Sequence, residues 1–126
     1  ILINESQNIV VNDATIMITG IPDRSGGHFS SFHKTDMEKA VGGMNFSDLK
    51  ILLAHQPGDV EHATKYGFDL QLSGHTHGGQ FWPWNLFVRL YQPYTAGLHR
   101  LGRLWIYISR GTGYWGPPKR FGAPSD

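Results

Sequence analysis

Two stretches constrain this chain more than any others, "ILLAHQP" at residues 51–57 and "LQLSGHTHGGQ" at residues 70–80. Each is an apolar run of strand length that stops in a histidine, beside Pro57 in one case and among Gly74, Gly78 and Gly79 in the other. A continuous apolar run bounded in this way predicts a strand buried on both faces over Ile51–Ala54. Asp69–Ser73 is the next strand, and Asp59–Tyr66 between them is helical, with Gly67 as its C-terminal stop. If the two strands are neighbours in one parallel sheet, their histidines meet at the carboxyl ends of strands, where ligands gather in α/β folds.

The remainder fits that frame. Ile1–Ile3, Asn8–Val11 and Thr15–Thr19 are short, β-branched and separated by turn residues, a meander of strands. "GIPDRSGGHFSSF" is a loop by its glycines, proline and serines. Asp36–Val41 predicts a short helix capped by Thr35, with Glu38 three residues on and Gly42-Gly43 at its end. Leu104–Ser109 is a final strand. Gly111–Gly116 matches GxGxxG after that strand, but a dinucleotide fingerprint needs a helix there, and Pro117-Pro118 argues against one. The expected class is α/β, with more strand than helix. Both ends read as cut within a longer protein.

Composition excludes several function classes. Net charge is +1 and the basic residues are scattered, so no nucleic acid is expected as a partner. Cysteine is absent, which removes disulfides, thiolate metal sites and a cysteine nucleophile. No apolar run approaches the ~18 residues of a membrane span. Seven histidines stand against eleven Lys plus Arg, a ratio that turns attention to metal chemistry.

In an extended segment residues i and i+2 point to the same side, so His75 and His77 are expected to converge, with His55 joining them from the neighbouring strand. Three neutral imidazoles suit Zn, Fe, Mn or Co. The alternative is that each histidine hydrogen-bonds a loop carbonyl. His62 lacks a second ligand at helical offset and reads as a surface histidine. Asp23, after a strand, either orients a metal-binding histidine or forms a turn behind Pro22. Arg110 either contacts a phosphate or pairs with a carboxylate. Gly74, Gly78 and Gly79 are expected to act through left-handed backbone. The aromatic stretch "QFWPWNLFVRLYQPY", interrupted by Pro83 and Pro93, has two readings. Phe81 re-enters the sheet and the rest packs inside, or Trp84–Tyr91 stands as an exposed apolar lobe with Arg89 near lipid phosphate.

"Leu-Leu-Ala-His55-Gln-Pro" followed by "Gly74-His75-Thr76-His77-Gly78-Gly79-Gln80" resembles the last two motifs of the calcineurin-like metallophosphoesterases. The Gly-Gly-Gln extension, "Gly20-Ile-Pro-Asp23" and "Tyr107-Ile-Ser-Arg110-Gly111-Thr-Gly113" are similar to the bacterial membrane-associated and exported branch. The likeness covers nearly the whole chain. It implies a four-layer α/β/β/α sandwich and a metal-dependent phosphoesterase whose dinuclear centre activates water. By resemblance His55 and His75 ligate the second metal and His77 the first. The family's Asp-x-His, Gly-Asp-x-x-Asp and Gly-Asn-His-Asp motifs have no counterpart here, which implies that residues 1–126 are the C-terminal half of the catalytic domain, clipped before its last strand. Without a bridging carboxylate the histidines hold at most one metal, weakly, and the chain alone is expected to be inactive. The complete domain is expected to hold two divalent or trivalent ions (Mn, Zn, Fe or Co). The expected substrate is phosphorylated, with a lipid-linked phosphate among the choices. Location by resemblance is membrane-associated or exported in a bacterium. A dimer through an exposed sheet edge is expected for the half-domain. The rival class is a non-catalytic module binding a metal or a protein partner.

Overall fold

The computed structural model describes residues 1–43, 46–91, 94–122 and 124–126, the side chains of Arg89 and Tyr91 apart. Pro93 and those two side chains, which figure in the aromatic stretch, lie outside the described residues. Among the described residues six strands form one sheet: β1 (Glu5–Val11), β2 (Ala14–Gly20), β3 (Leu49–Leu53), β4 (Leu70–Ser73), β5 (Gly97–Leu101) and β6 (Leu104–Ile108). Their order is β1-β2-β3-β4-β6-β5. The middle four run parallel, as expected for β3 and β4, and an antiparallel strand flanks each side. The α-helices among the described residues are α1 (Met37–Val41), α2 (Val60–Lys65) and α3 (Trp84–Tyr91). This mixed sheet with helices is the expected α/β class. Helix and sheet make two layers of the four that the sandwich implies.

Several local expectations need correction. Ile1–Ile3 is not a strand. Asn4 turns the chain with φ 53°, and its buried amide donates to the Lys34 carbonyl at 2.8 Å while accepting from the Asp36 amide at 2.9 Å. A left-handed asparagine fixed by two bonds cannot continue an extended strand. The chain before it crosses β2 so closely that a Cβ on Gly20 would meet Leu2 at 2.5 Å. Asp36, not Thr35, caps α1 by accepting from the Lys39 amide at 2.9 Å. Thr35 donates to the Pro22 carbonyl instead.

Face alternation explains the core. Met17, Leu52, Leu104, Ile106 and Ile108 share one buried face, and α1 and α2 cover it with Met37, Ala40 and Ala63. On the other face Leu53, Leu72, Trp105 and Tyr107 each expose more than a third of their surface. Ile51–Ala54 is therefore buried on one face of the sheet, not on both. The apolar character of the exposed positions is what made the sequence read as a doubly buried strand.

Gly97–Leu101 and Trp84–Tyr91 carried no strand or helix expectation. His99 and Arg100 break the alternation of the first, and only pairing with β6 makes it a strand. In the second, Pro83 stands where helices accept proline, immediately before the first turn.

Candidate metal centre

Because β2, β3, β4 and β6 are parallel, the residues that follow their carboxyl ends gather along one edge of the sheet. Asp23 follows β2, His55 follows β3, His75 and His77 follow β4, and Arg110 follows β6. The ladder continues past the strands: the Gly74 amide donates to the His55 carbonyl at 3.1 Å, which sets the two histidine turns side by side. Beneath them Gln71 is fully buried, and its amide donates to Ser73 Oγ at 2.9 Å and to the Gln56 carbonyl at 3.3 Å. A sheet residue thus holds the turn that carries His55.

The rings meet. His75 Nδ1 lies 3.2 Å from His55 Nε2, with ring centroids 5.0 Å apart at 80°. Asp23 Oδ2 lies 3.7 Å from His55 Nε2. One donor atom each from Asp23, His55 and His75 fall within 4.8 Å of one another, a possible three-residue metal site of two nitrogens and one oxygen. Such a set suits Zn, Mn, Fe or Co.

His77 is not part of that trio. The segment is a tight turn rather than an extended run: His75 has φ 69° and His77 has φ 50°. The i, i+2 argument therefore does not describe this backbone. Both rings nevertheless line one cavity of about 380 Å³ with His55, Phe81, Trp84 and Trp115. Among the described residues His77 Nδ1 is buried without a hydrogen-bond partner. An unpartnered imidazole nitrogen on a ring that lines the same cavity as the histidine pair fits a ligand position better than a packing position.

Electrostatics favour the ligand forms. Burial of Asp23 works to raise its pKa, but Ser25, through amide and hydroxyl, together with Gln56 and His55 holds it below the usual value. Its Oδ1 accepts from the Ser25 amide at 2.7 Å, from the Ser25 hydroxyl and from Gln56 Nε2 at 3.0 Å. Arg24 anchors the same loop on the fully buried Asp59 at 3.2 Å. Asp23 thus forms its turn and faces the histidines at once. For His75, burial first, then the charges of His55 and His77, lowers the pKa below 6.5 against the pull of Asp23. A depressed histidine pKa means that the folded chain takes up this proton less readily than the unfolded chain. The metal-free chain therefore loses stability as pH falls through 6.5 toward the lower folded value.

Gly78 and Gly79 hold φ 64° and 81°, whereas Gly74 has an ordinary φ and open space where a Cβ would sit. The expectation of left-handed backbone is corrected for Gly74, which contributes its amide to His55 and its carbonyl to Thr76. Arg110 packs its side-chain carbons against Gly78, and its amide donates to Asp126 at 2.6 Å. Phe81 lines the cavity and does not re-enter the sheet. His62 lies on α2, outside the cavity.

Gln80 is the residue that spacing did not reveal. It is 4% exposed, donates to the carbonyls of Trp115 at 2.5 Å and Pro117 at 3.1 Å, and accepts from the Trp115 amide at 2.5 Å. It fastens the loop after β6 to the histidine turn. Its place at the end of the Gly-Gly-Gln extension was its signal in the sequence. We predict that Gln80→Ala lowers unfolding stability by about 1–3 kcal/mol, from the lost bonds and the polar groups left unpaired. Chemical denaturation checks this, and a cost under ~0.5 kcal/mol would show that the loop holds without it.

No family model and no solved structure matches the chain significantly. Curated relatives do. It is 47% identical over 93 residues to an uncharacterized metallophosphoesterase of Helicobacter pylori, covering 72% of this chain and 25% of that protein. It is 38% identical over 127 residues to an uncharacterized metallophosphoesterase of Campylobacter jejuni, covering 100% of this chain and 33% of that protein. A transmembrane protein with metallophosphoesterase domain from Bos taurus is 37% identical over 120 residues, covering 91% of this chain and 27% of that protein. The chain thus spans a quarter to a third of the length of these relatives and matches their C-terminal part.

Proposed function

The chain belongs to the metallophosphoesterase family, and on that premise we propose that it is the C-terminal half of the catalytic domain of a metal-dependent phosphoester hydrolase. The observation that carries this reading is the juxtaposition of Asp23, His55 and His75 within 4.8 Å at the carboxyl edge of a parallel sheet, with His55, His75 and His77 lining one cavity there. His55 and His75 would hold one divalent ion, with His77 contributing to a second in the complete domain. Metal ions in such a site lower the pKa of water and offset charge on phosphoryl oxygens. Asp23 stands 3.7 Å from the same His55 nitrogen that faces His75, and its lowered pKa keeps it an anion that would stabilise the cationic centre. Phe81, Trp84 and Trp115 give the cavity apolar walls beside the reacting phosphoester.

The bridging carboxylate and the remaining ligands belong to the longer parent protein, and residues 1–126 alone are inactive on this reading. Membrane association of the parent is part of the proposal, supported by relatives from Bos taurus and Danio rerio that are named transmembrane proteins with a metallophosphoesterase domain. Among the described residues no helix is long and apolar enough to cross a membrane. Edge pairing of two copies along the fully exposed β1 is a further part of the proposal.

Metal alone tests the centre. Zn or Mn at about a hundred times its dissociation constant should raise the stability of the chain by about 2.7 kcal/mol. His55→Ala and His75→Ala should each remove most of that shift, and His62→Ala none of it. Equal losses from all three would show adventitious binding and overturn the assignment.

A further inference from the structure

The cavity does not end at the histidines. Its outer wall is Trp84 and Val88 of α3, and beyond them Leu86, Phe87 and Leu90 of the same helix face solvent, Leu90 at 77%. The loop of residues 113–122 lies against the start of this helix: the Trp82 amide donates to the Phe121 carbonyl at 2.9 Å, and Gln80 fastens Trp115. That loop adds Tyr114, Trp115 and Phe121, each more than half exposed. Two segments that line the cavity thus each carry exposed aromatic side chains.

The charge of this part of the chain is lopsided. Between Asp69 and Asp126 there are six Lys or Arg and no carboxylate, whereas residues 1–69 hold nine carboxylates and five Lys or Arg. Arg89 belongs to α3, and Lys119 and Arg120 belong to the loop. The bare face of the sheet differs. It carries Leu53, Leu72, Trp105 and Tyr107, none of which lines the histidine cavity. The surface of α3 and the loop together exposes Trp84, Phe87, Tyr114 and Trp115, with the exposed Lys119 in the loop, the composition of an interfacial anchor. A protein layer laid over it would also close the cavity, so its occupant must be one that delivers substrate.

We propose that α3 and the loop of residues 113–122 dock on an anionic lipid bilayer and present an amphiphilic phosphoester from that bilayer to the histidine cavity. The delivery step rests on the phosphoesterase reading above; the docking does not. The phosphate reaches the histidines, while Phe81, Trp84 and Val88 receive the first apolar part of the ligand. Basic residues draw the surface to anionic headgroups, and the exposed apolar side chains enter the headgroup boundary.

The test uses the full parent protein. Phe87→Cys carries an environment-sensitive fluorophore, and Glu61→Cys on α2 carries the same label as a control. With vesicles of phosphatidylglycerol and phosphatidylcholine bearing a nitroxide-headgroup lipid, the label at 87 should be quenched several-fold more than the label at 61. Lys119→Glu should reduce that difference. Equal quenching at both positions overturns the docking. So does a label at 87 already shielded from iodide before vesicles are added, because protein then covers the helix. In parallel, Phe87→Ser with Leu90→Ser should lower kcat/KM on a vesicle-borne acyl phosphoester by about tenfold while changing hydrolysis of a soluble aryl phosphate less than about twofold. Equal loss on both substrates overturns delivery. If the wild-type parent hydrolyses neither, the phosphoesterase reading and the delivery that rests on it fall, and the quenching result decides the docking by itself.

Discussion

Gly79→Val should unfold the histidine turn. Gly79 has φ 81°, and a Cβ there would sit 2.5 Å from Asn85 Cβ and 2.6 Å from its Cα. The left-handed conformation costs an L residue about 1–2 kcal/mol. Overpacking against a helix backbone, which cannot swing aside like a long side chain, adds about 1–3 kcal/mol. Together they should lower Tm by roughly 10 °C and remove metal-induced stabilisation, since His77 and Gln80 flank the same turn. Gly74→Ala is the matched control, because its Cβ meets nothing within 4 Å. It should leave Tm within a few degrees. Equal effects at the two positions in a thermal melt would show that the glycines only shorten a loop.

His75→Ala in the parent protein should have the larger functional effect. Replacing a residue that merely orients a ligand typically costs about 10–100-fold in metal affinity or activity, so removing a ligand should cost at least about a hundredfold in kcat/KM. The side chain sits 3.2 Å from His55, and its lowered pKa keeps it a neutral donor on the acid side of the ordinary histidine value. Asp23→Asn keeps a hydrogen-bonding group but removes the charge, and should fall inside the smaller range. Steady-state rates against an aryl phosphate rank the variants. Asp23→Asn at least as damaging as His75→Ala would make Asp23 a ligand in its own right.

Much of this was legible in the sequence because it depends on local pattern. The apolar runs at Ile51–Ala54 and Leu104–Ser109 place β3 and β6 to within a residue or two, and the strand-helix-strand order around α2 fixes the parallel pair. That pair brings His55 beside His75. Asp23 was legible as a choice between turn and histidine partner; the structure shows the turn and sets the carboxylate 3.7 Å from His55 Nε2. What was not legible depends on pairing across long separations. Gly97–Leu101 is a strand only because β6 lies beside it. Gln80 matters through Trp115 and Pro117, 35 and 37 residues away. The left-handed φ of His75 and His77 follows from turn closure, which an i, i+2 rule for extended chain does not anticipate. Asn4 likewise ends an apparent strand through partners at Lys34 and Asp36.

Hydrolysis of an aryl phosphate by the longer parent protein, before and after chelation, tests the central claim most directly. The account predicts turnover that chelation abolishes and that Mn, Zn or Co restores, with residues 1–126 alone at less than about a tenth of that rate because they lack the bridging carboxylate. Turnover in the parent that survives chelation, or residues 1–126 alone matching the parent within about tenfold, would contradict it.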